Sequence, residues 1–247
     1  MSRWSRSRRW TRSSGKRWRR AGRSDNRGTT RCPAHTSWAR RFREAGAVVV
    51  RSVEFAGSVV APGQPYPAQL PQIAFAGRSN VGKSSLINRV LGRPRRKVAR
   101  VSASPGKTQA LNFYAVNGAF FLVDLPGSGY ARAPRAVRDS WRTLVRSYLA
   151  GSEELRGVVY LVDSRHPPTA GDREFVDYLA ETGLPTLIAL TKVDKLKATE
   201  REAGAVRRAT EELGVAEEQV LPTSARTGEG AGEVLDAIVA LLELEDA

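Results

Sequence analysis

The stretch Gly77-Arg78-Ser79-Asn80-Val81-Gly82-Lys83-Ser84 has the spacing G-x-x-x-x-G-K-[ST], the pattern of a loop that wraps a polyphosphate. Its glycines let the backbone close around such a group. The loop N–H groups and the helix N-terminus that follows supply partial positive charge. Lys83 is placed to reach β- and γ-phosphates, and the Ser84 hydroxyl to ligate Mg²⁺. Asp124-Leu125-Pro126-Gly127 ends an apolar run. A carboxylate at the C-terminal edge of a strand can hold Mg²⁺ through water, and the Gly127 N–H can sense a γ-phosphate. Read alone, this segment is also an ordinary strand ending in a turn.

Thr191-Lys192-Val193-Asp194 closes another apolar run. The Asp194 carboxylate can accept from the ring N–H and the exocyclic amine of guanine, a pair of donors that adenine lacks. The Lys192 stem can lie along the base plane. Thr223-Ser224-Ala225, followed by Arg226, would bring the Ala225 N–H to the guanine carbonyl. Between the first helix and the next strand lies Ser104-Pro105-Gly106-Lys107-Thr108. Thr108 is the candidate that closes over Mg²⁺ and the γ-phosphate, and the competing reading is a plain Pro-Gly turn. In this order the motifs make the set of a GTPase, with GTP and GDP as ligands.

These loops need elements to carry them. Short apolar runs at Ile73–Ala76, Val158–Asp163, Thr186–Thr191 and Val220–Thr223 read as buried strands, while Leu111–Val116 and Ala119–Asp124 flank Asn117-Gly118 and read as a hairpin. Helical patterns cover Ser84–Leu91, Ala136–Leu149, Asp172–Glu181, Thr199–Leu213 and Ala231–Leu244. In Ala136–Leu149 the apolar residues Val137, Trp141, Leu144, Val145 and Tyr148 share one face. Alternating strands and helices predict an α/β fold: a three-layer P-loop domain with a mostly parallel sheet, one antiparallel hairpin strand, and helices on both faces.

Charge divides the 247-residue chain unevenly. Residues 1–50 hold 15 Lys and Arg against Asp25 and Glu44, so they carry +13 of the total +15. Trp4, Trp10, Trp18 and Trp38 interleave with those arginines. We read 1–47 as a basic tail without a packed core and 48–247 as the folded domain. The tail fits RNA binding by phosphate contact and stacking, an organellar leader, or a start codon assigned too early. The single Cys32 allows no internal disulfide, and no Cys/His cluster has zinc spacing. No apolar run is long enough to span a membrane. The expectation is a cytoplasmic monomer with no membrane partner.

The segments Ala74–Leu91, Ser104–Phe113 (SPGKTQALNF), Asp124–Ala131 (DLPGSGYA), Leu161–Pro167 (LVDSRHP) and Leu190–Lys195 (LTKVDK) resemble the EngB family, also called YsxC or YihA, among the Era-like translation GTPases. The resemblance spans about residues 50–245. It implies a single G domain acting with GTP in assembly of the large ribosomal subunit, with rRNA as a partner, and a requirement in cell division and septation. Era and Der are the nearest alternatives, but only one phosphate loop is present and nothing after Ala231 offers a KH appendage.

In the Era-like relatives an Asn at the position of Asn80 can coordinate K⁺ in place of an arginine finger. Otherwise Asn80 shapes the loop. Ser128 stands where many GTPases carry a water-orienting Gln and where the family usually has an aromatic, so slow intrinsic turnover is expected. Arg93, Arg95, Arg96, Lys97 and Arg100, with a stripe of Arg135, Arg138, Arg142 and Arg146, read either as rRNA contacts gated by GTP or as a solvated face. A docking module with little intrinsic hydrolysis stays open beside the enzyme.

Overall fold

The computed structural model describes residues 49–93, 110–127, 135–196 and 204–243. Within them the chain runs β1 (Val53–Val59), β2 (Gln72–Gly77), α1 (Lys83–Val90), β3 (Leu111–Val116), β4 (Phe120–Asp124), α2 (Arg135–Gly151), β5 (Leu155–Asp163), α3 (Ala170–Glu181), β6 (Thr186–Thr191), α4 (Gly204–Leu213), β7 (Val220–Pro222) and α5 (Ala231–Leu242). The strands form a 7-stranded sheet in the order β1-β3-β4-β2-β5-β6-β7. β3 is antiparallel to both of its neighbours, and the other pairings are parallel.

Every residue of β2 and β6 is buried, which is why the middle of each reads as an apolar run: each has helices on two faces. The pleat divides them. Ile73 and Phe75 pack with Leu86 and Ile87 of α1 and with Val234, Ile238 and Leu241 of α5. Ala74 and Ala76 face the opposite way, toward Leu144 and Tyr148 of α2, Leu179 of α3 and Leu213 of α4. The small β2 residues let α2 approach closely. There the Tyr148 hydroxyl donates to buried Gln72 Oε1 at 2.9 Å, and burial raises the Tyr148 pKa well above the ordinary value.

The hairpin forms as its turn chemistry requires. Asn117 and Gly118 both take positive φ, 53° and 65°, the conformation of the tight turn that matches strand twist. α3 starts at Thr169, whose side chain and that of Asp172 make a reciprocal capping box. β1 is an element the sequence reading did not name. It is an edge strand with Glu54, Phe55 and Ala56 exposed, and its register slips between Phe55 and Gly57. The bulge breaks the alternation by which a strand is read. Ends shift by one to three residues elsewhere. The last strand stops at Pro222, leaving Thr223 in the loop, and α5 stops at Leu242. The first part of the helix expected from Thr199 lies outside the described residues. No helix among them is long and apolar enough to cross a membrane.

Candidate nucleotide-binding site

β2, β4, β5, β6 and β7 run parallel, so the loops after them leave from one edge of the sheet. That edge of an open parallel sheet is where such folds bind ligands. The loop after β2 is shaped by two glycines. Gly77 has φ 150°, and a Cβ there would stand 2.8 Å from the Leu161 carbonyl oxygen of the neighbouring strand. Gly77→Ala is therefore expected to lower stability by about 3 kcal/mol, through strain and overpacking, read as a drop in the urea midpoint. Gly82 is the N-cap of α1 at φ 110° with no side-chain cap, so the first-turn N–H groups are open to an anion.

Lys83 and Asp124 are both buried and form an ion pair. The Ser84 hydroxyl lies 3.4 Å from the other Asp124 oxygen. Gly127 comes so near the phosphate loop that a Cβ on it would meet Ser79 N and Oγ at 3.2 Å. Ser79 Oγ is buried without a hydrogen-bond partner among the described residues. The Asp124 carboxylate, the Ser84 hydroxyl, an ammonium, the unpaired Ser79 hydroxyl and an uncapped helix start thus share one small region. That set suits a polyphosphate with a hard cation.

The second half of the site is tied to the first. Thr191 Oγ1 donates to the Val81 carbonyl at 2.6 Å. Lys192, at φ 64°, donates to the Asn80 carbonyl at 2.6 Å and to Asp163 Oδ2 at 2.8 Å. Val193 is fully buried and its N–H donates to the Thr223 carbonyl at 3.3 Å. Asp194 accepts from Ser224 Oγ at 2.7 Å and pairs with Arg226 Nε at 2.6 Å. The Ser224 bond, with help from Arg226, holds the Asp194 carboxyl below the ordinary range. The carboxylate is therefore ionised and offers acceptors only, which selects a partner edge made of donors.

A family model described as 50S ribosome-binding GTPase matches residues 72–192. A probable GTP-binding protein EngB of Gemmatimonas aurantiaca is 44% identical over 200 residues, covering 81% of this chain and 97% of that one. A probable GTP-binding protein EngB of Pelotomaculum thermopropionicum is 46% identical over 191 residues, 76% of this chain and 94% of that one. The chain belongs to the EngB family of GTP-binding proteins. Its fold agrees: the crystal structure of a probable GTP-binding protein EngB superposes with a TM-score of 0.58 at 27% identity, over 70% of this chain and all of that one.

In this EngB-family chain the loop after β2 (Gly77, Arg78, Ser79, Asn80, Val81, Gly82, Lys83, Ser84), Asp124 to Gly127, Thr191 to Asp194, and Thr223, Ser224 and Ala225 lie together at one edge of the sheet. Ser104, Pro105, Gly106, Lys107, Thr108 and Ser128 lie outside the described residues. Two residues that sequence reading passed over belong to the assembly. Asp163 read as a strand end, but its carboxylate grips Lys192 and Arg165. Burial opposes its charge, yet the hydrogen bonds from Arg165 and Lys192 outweigh burial and hold its pKa well below the ordinary aspartate value. Arg226 read only as the residue that follows Thr223-Ser224-Ala225, and it is the cation on Asp194. The available signals were an acid ending a buried strand and a base next to the Ser-Ala pair.

A cavity of about 420 Å³ opens beside Gly77, Arg78 and Gly127, walled by Trp141 and Phe175. The arginine stripe borders it in part. Arg142 is exposed. Arg146 stands 5.0 Å over the Tyr178 ring and 3.9 Å from Glu174. The side chains of Arg135 and Arg138, and Arg95, Arg96, Lys97 and Arg100 entirely, are outside the described residues.

Proposed function

We propose that this chain is a Mg²⁺-dependent GTPase of slow intrinsic turnover that acts as a switch in assembly of the large ribosomal subunit, with septation depending on it through ribosome supply. The observation that carries this reading is the joining of a phosphate-type loop to an acceptor-only Asp194 by Lys192 and Thr191. The ribosomal part rests on the description of the matching family model. We further propose a cytoplasmic monomer, with residues 48–247 as the G domain and 1–47 as a basic appendage.

Lys83 leaves Asp124 to hold the β- and γ-phosphates, and the loop N–H groups surround them. Gly127 donates its N–H to the γ-phosphate and reports its loss. Ser84, Thr108 and, through water, Asp124 would hold Mg²⁺. The Ser84 and Asp124 oxygens are hard donors and fit that ion. Bound there, Mg²⁺ would neutralise charge on the phosphate oxygens. Asp194 takes the guanine ring N–H and amine, Ala225 N–H its carbonyl, and Lys192 packs on the base. Water then attacks the γ-phosphorus in line and GDP leaves, with catalysis by positioning and charge. Ser128 cannot replace a water-orienting Gln, which keeps intrinsic turnover low. Asn80, exposed at φ 62°, is the proposed K⁺ ligand.

The test is phosphate release from GTP. Activity is expected to need Mg²⁺, to stop with chelator, and to rise at least about tenfold in K⁺ over Na⁺, a modest share of what an arginine finger supplies. Equal rates in the two salts would remove Asn80 from the mechanism. Release unaffected by chelator would remove Mg²⁺.

A further inference from the structure

Arg89 sits in the last turn of α1, the helix that begins at the phosphate loop. Its guanidinium reaches a loop 136 positions later in the chain. Nε donates to the Ala225 carbonyl at 2.7 Å, and a second nitrogen donates to the Arg226 carbonyl at 2.7 Å. The fork is half-buried, and it packs against Gly228, where a Cβ would lie 3.7 Å from the guanidinium. Two donors of one rigid fork on consecutive carbonyls fix two successive peptides, Ala225–Arg226 and Arg226–Thr227, relative to each other. The first of them leaves the Cα of Ala225, whose other side carries the Ala225 N–H.

We infer that Arg89 is a positioning residue for base recognition: it clamps the Ala225–Arg226 peptide so that the Ala225 N–H meets the guanine carbonyl in register with the phosphate grip. The inference rests on the assignment of Ala225 to that carbonyl. The same loop is also tethered through Arg226 to Asp194. When guanine takes the Asp194 acceptors, that tether is given up and the Arg89 clamp remains. The clamp thus matters most in the bound state. It spans both halves of the site, because one end is on the phosphate helix and the other on the base loop.

A competing role is a helix-end charge. A cation in the last turn of α1 favours the helix dipole, and this would need no fork. Lysine keeps that charge but lacks the rigid fork that holds two carbonyls at once.

The test uses the full-length chain and three diphosphates: GDP, 6-thio-GDP, whose sulfur is a larger and weaker acceptor at the carbonyl position, and IDP, which lacks only the exocyclic amine facing Asp194. Wild type is expected to prefer GDP over both. Arg89→Ala should bind GDP at least about tenfold more weakly, the scale of one charge-assisted hydrogen bond. Its preference for GDP over 6-thio-GDP should fall toward parity, and its preference over IDP should stay within about twofold of wild type. Arg89→Lys should fall between the two in the 6-thio-GDP ratio, and it supplies the answer if Arg89→Ala does not fold. Equal loss for all three ligands, or a lowered melting temperature with the ratios unchanged, would make Arg89 merely structural and overturn the inference. A wild type indifferent to sulfur at that position would instead overturn the Ala225 assignment, and the inference with it.

Discussion

Asp194→Asn is expected to convert preference for GTP into preference for XTP. The Asp194 carboxylate offers acceptors only, and in the proposed site guanine answers with two donors. An asparagine amide turns one acceptor into a donor, which then faces the guanine amine. Xanthine carries a carbonyl at that ring position and accepts from the amide. GTP affinity should fall by at least about a hundredfold, since a buried polar group left unmatched is what makes such sites discriminate. The change also removes the charge that binds Arg226. Competition of GTP and XTP for a fluorescent nucleotide, on wild type and variant, reads the exchange directly. Unchanged GTP affinity would mean that Asp194 does not touch the base.

Lys83→Ala is the second large effect. Its side chain is 8% exposed and that of Asp124 3%. Removing the cation strips the phosphates of their main counter-charge, so GTP hydrolysis should drop by about a thousandfold or more. It also leaves Asp124 buried without its partner, at a cost of about 3 kcal/mol. In a domain of this size that lowers the melting temperature by about 6–12 °C. A double variant, Lys83→Met with Asp124→Leu, separates the two consequences. It should regain most of the stability, since an apolar pair can replace a buried ion pair, and none of the activity. Full activity in Lys83→Ala would contradict the phosphate assignment.

What the sequence made legible follows from range. β2 and β6 show in the sequence because burial on both faces leaves their middles, Ile73–Ala76 and 187–190, entirely apolar. The 117–118 turn shows because its backbone demands Asn-Gly, and the binding loops because glycine spacing and the carboxylates of Asp124 and Asp194 are chemical requirements. β1 did not, because an edge strand meets solvent on its exposed residues and a bulge between Phe55 and Gly57 breaks its period. Asp163 on Lys192 and Arg226 on Asp194 each join residues about thirty positions apart, and Arg89 on Ala225 joins residues 136 apart. No local pattern marks such pairs. They exist because β2, β5, β6 and β7 end at one edge of the sheet and bring their loops together.

The claim that binds the nucleotide site to the proposed role is docking gated by GTP. The direct measurement is co-sedimentation of the full-length chain with large ribosomal subunits, with GDP in one tube and a non-hydrolysable GTP analogue in the other. Pelleting with the analogue and release with GDP is the predicted result. Equal pelleting with both nucleotides would contradict the account, because binding would then owe nothing to the site that Lys83, Asp124 and Asp194 build.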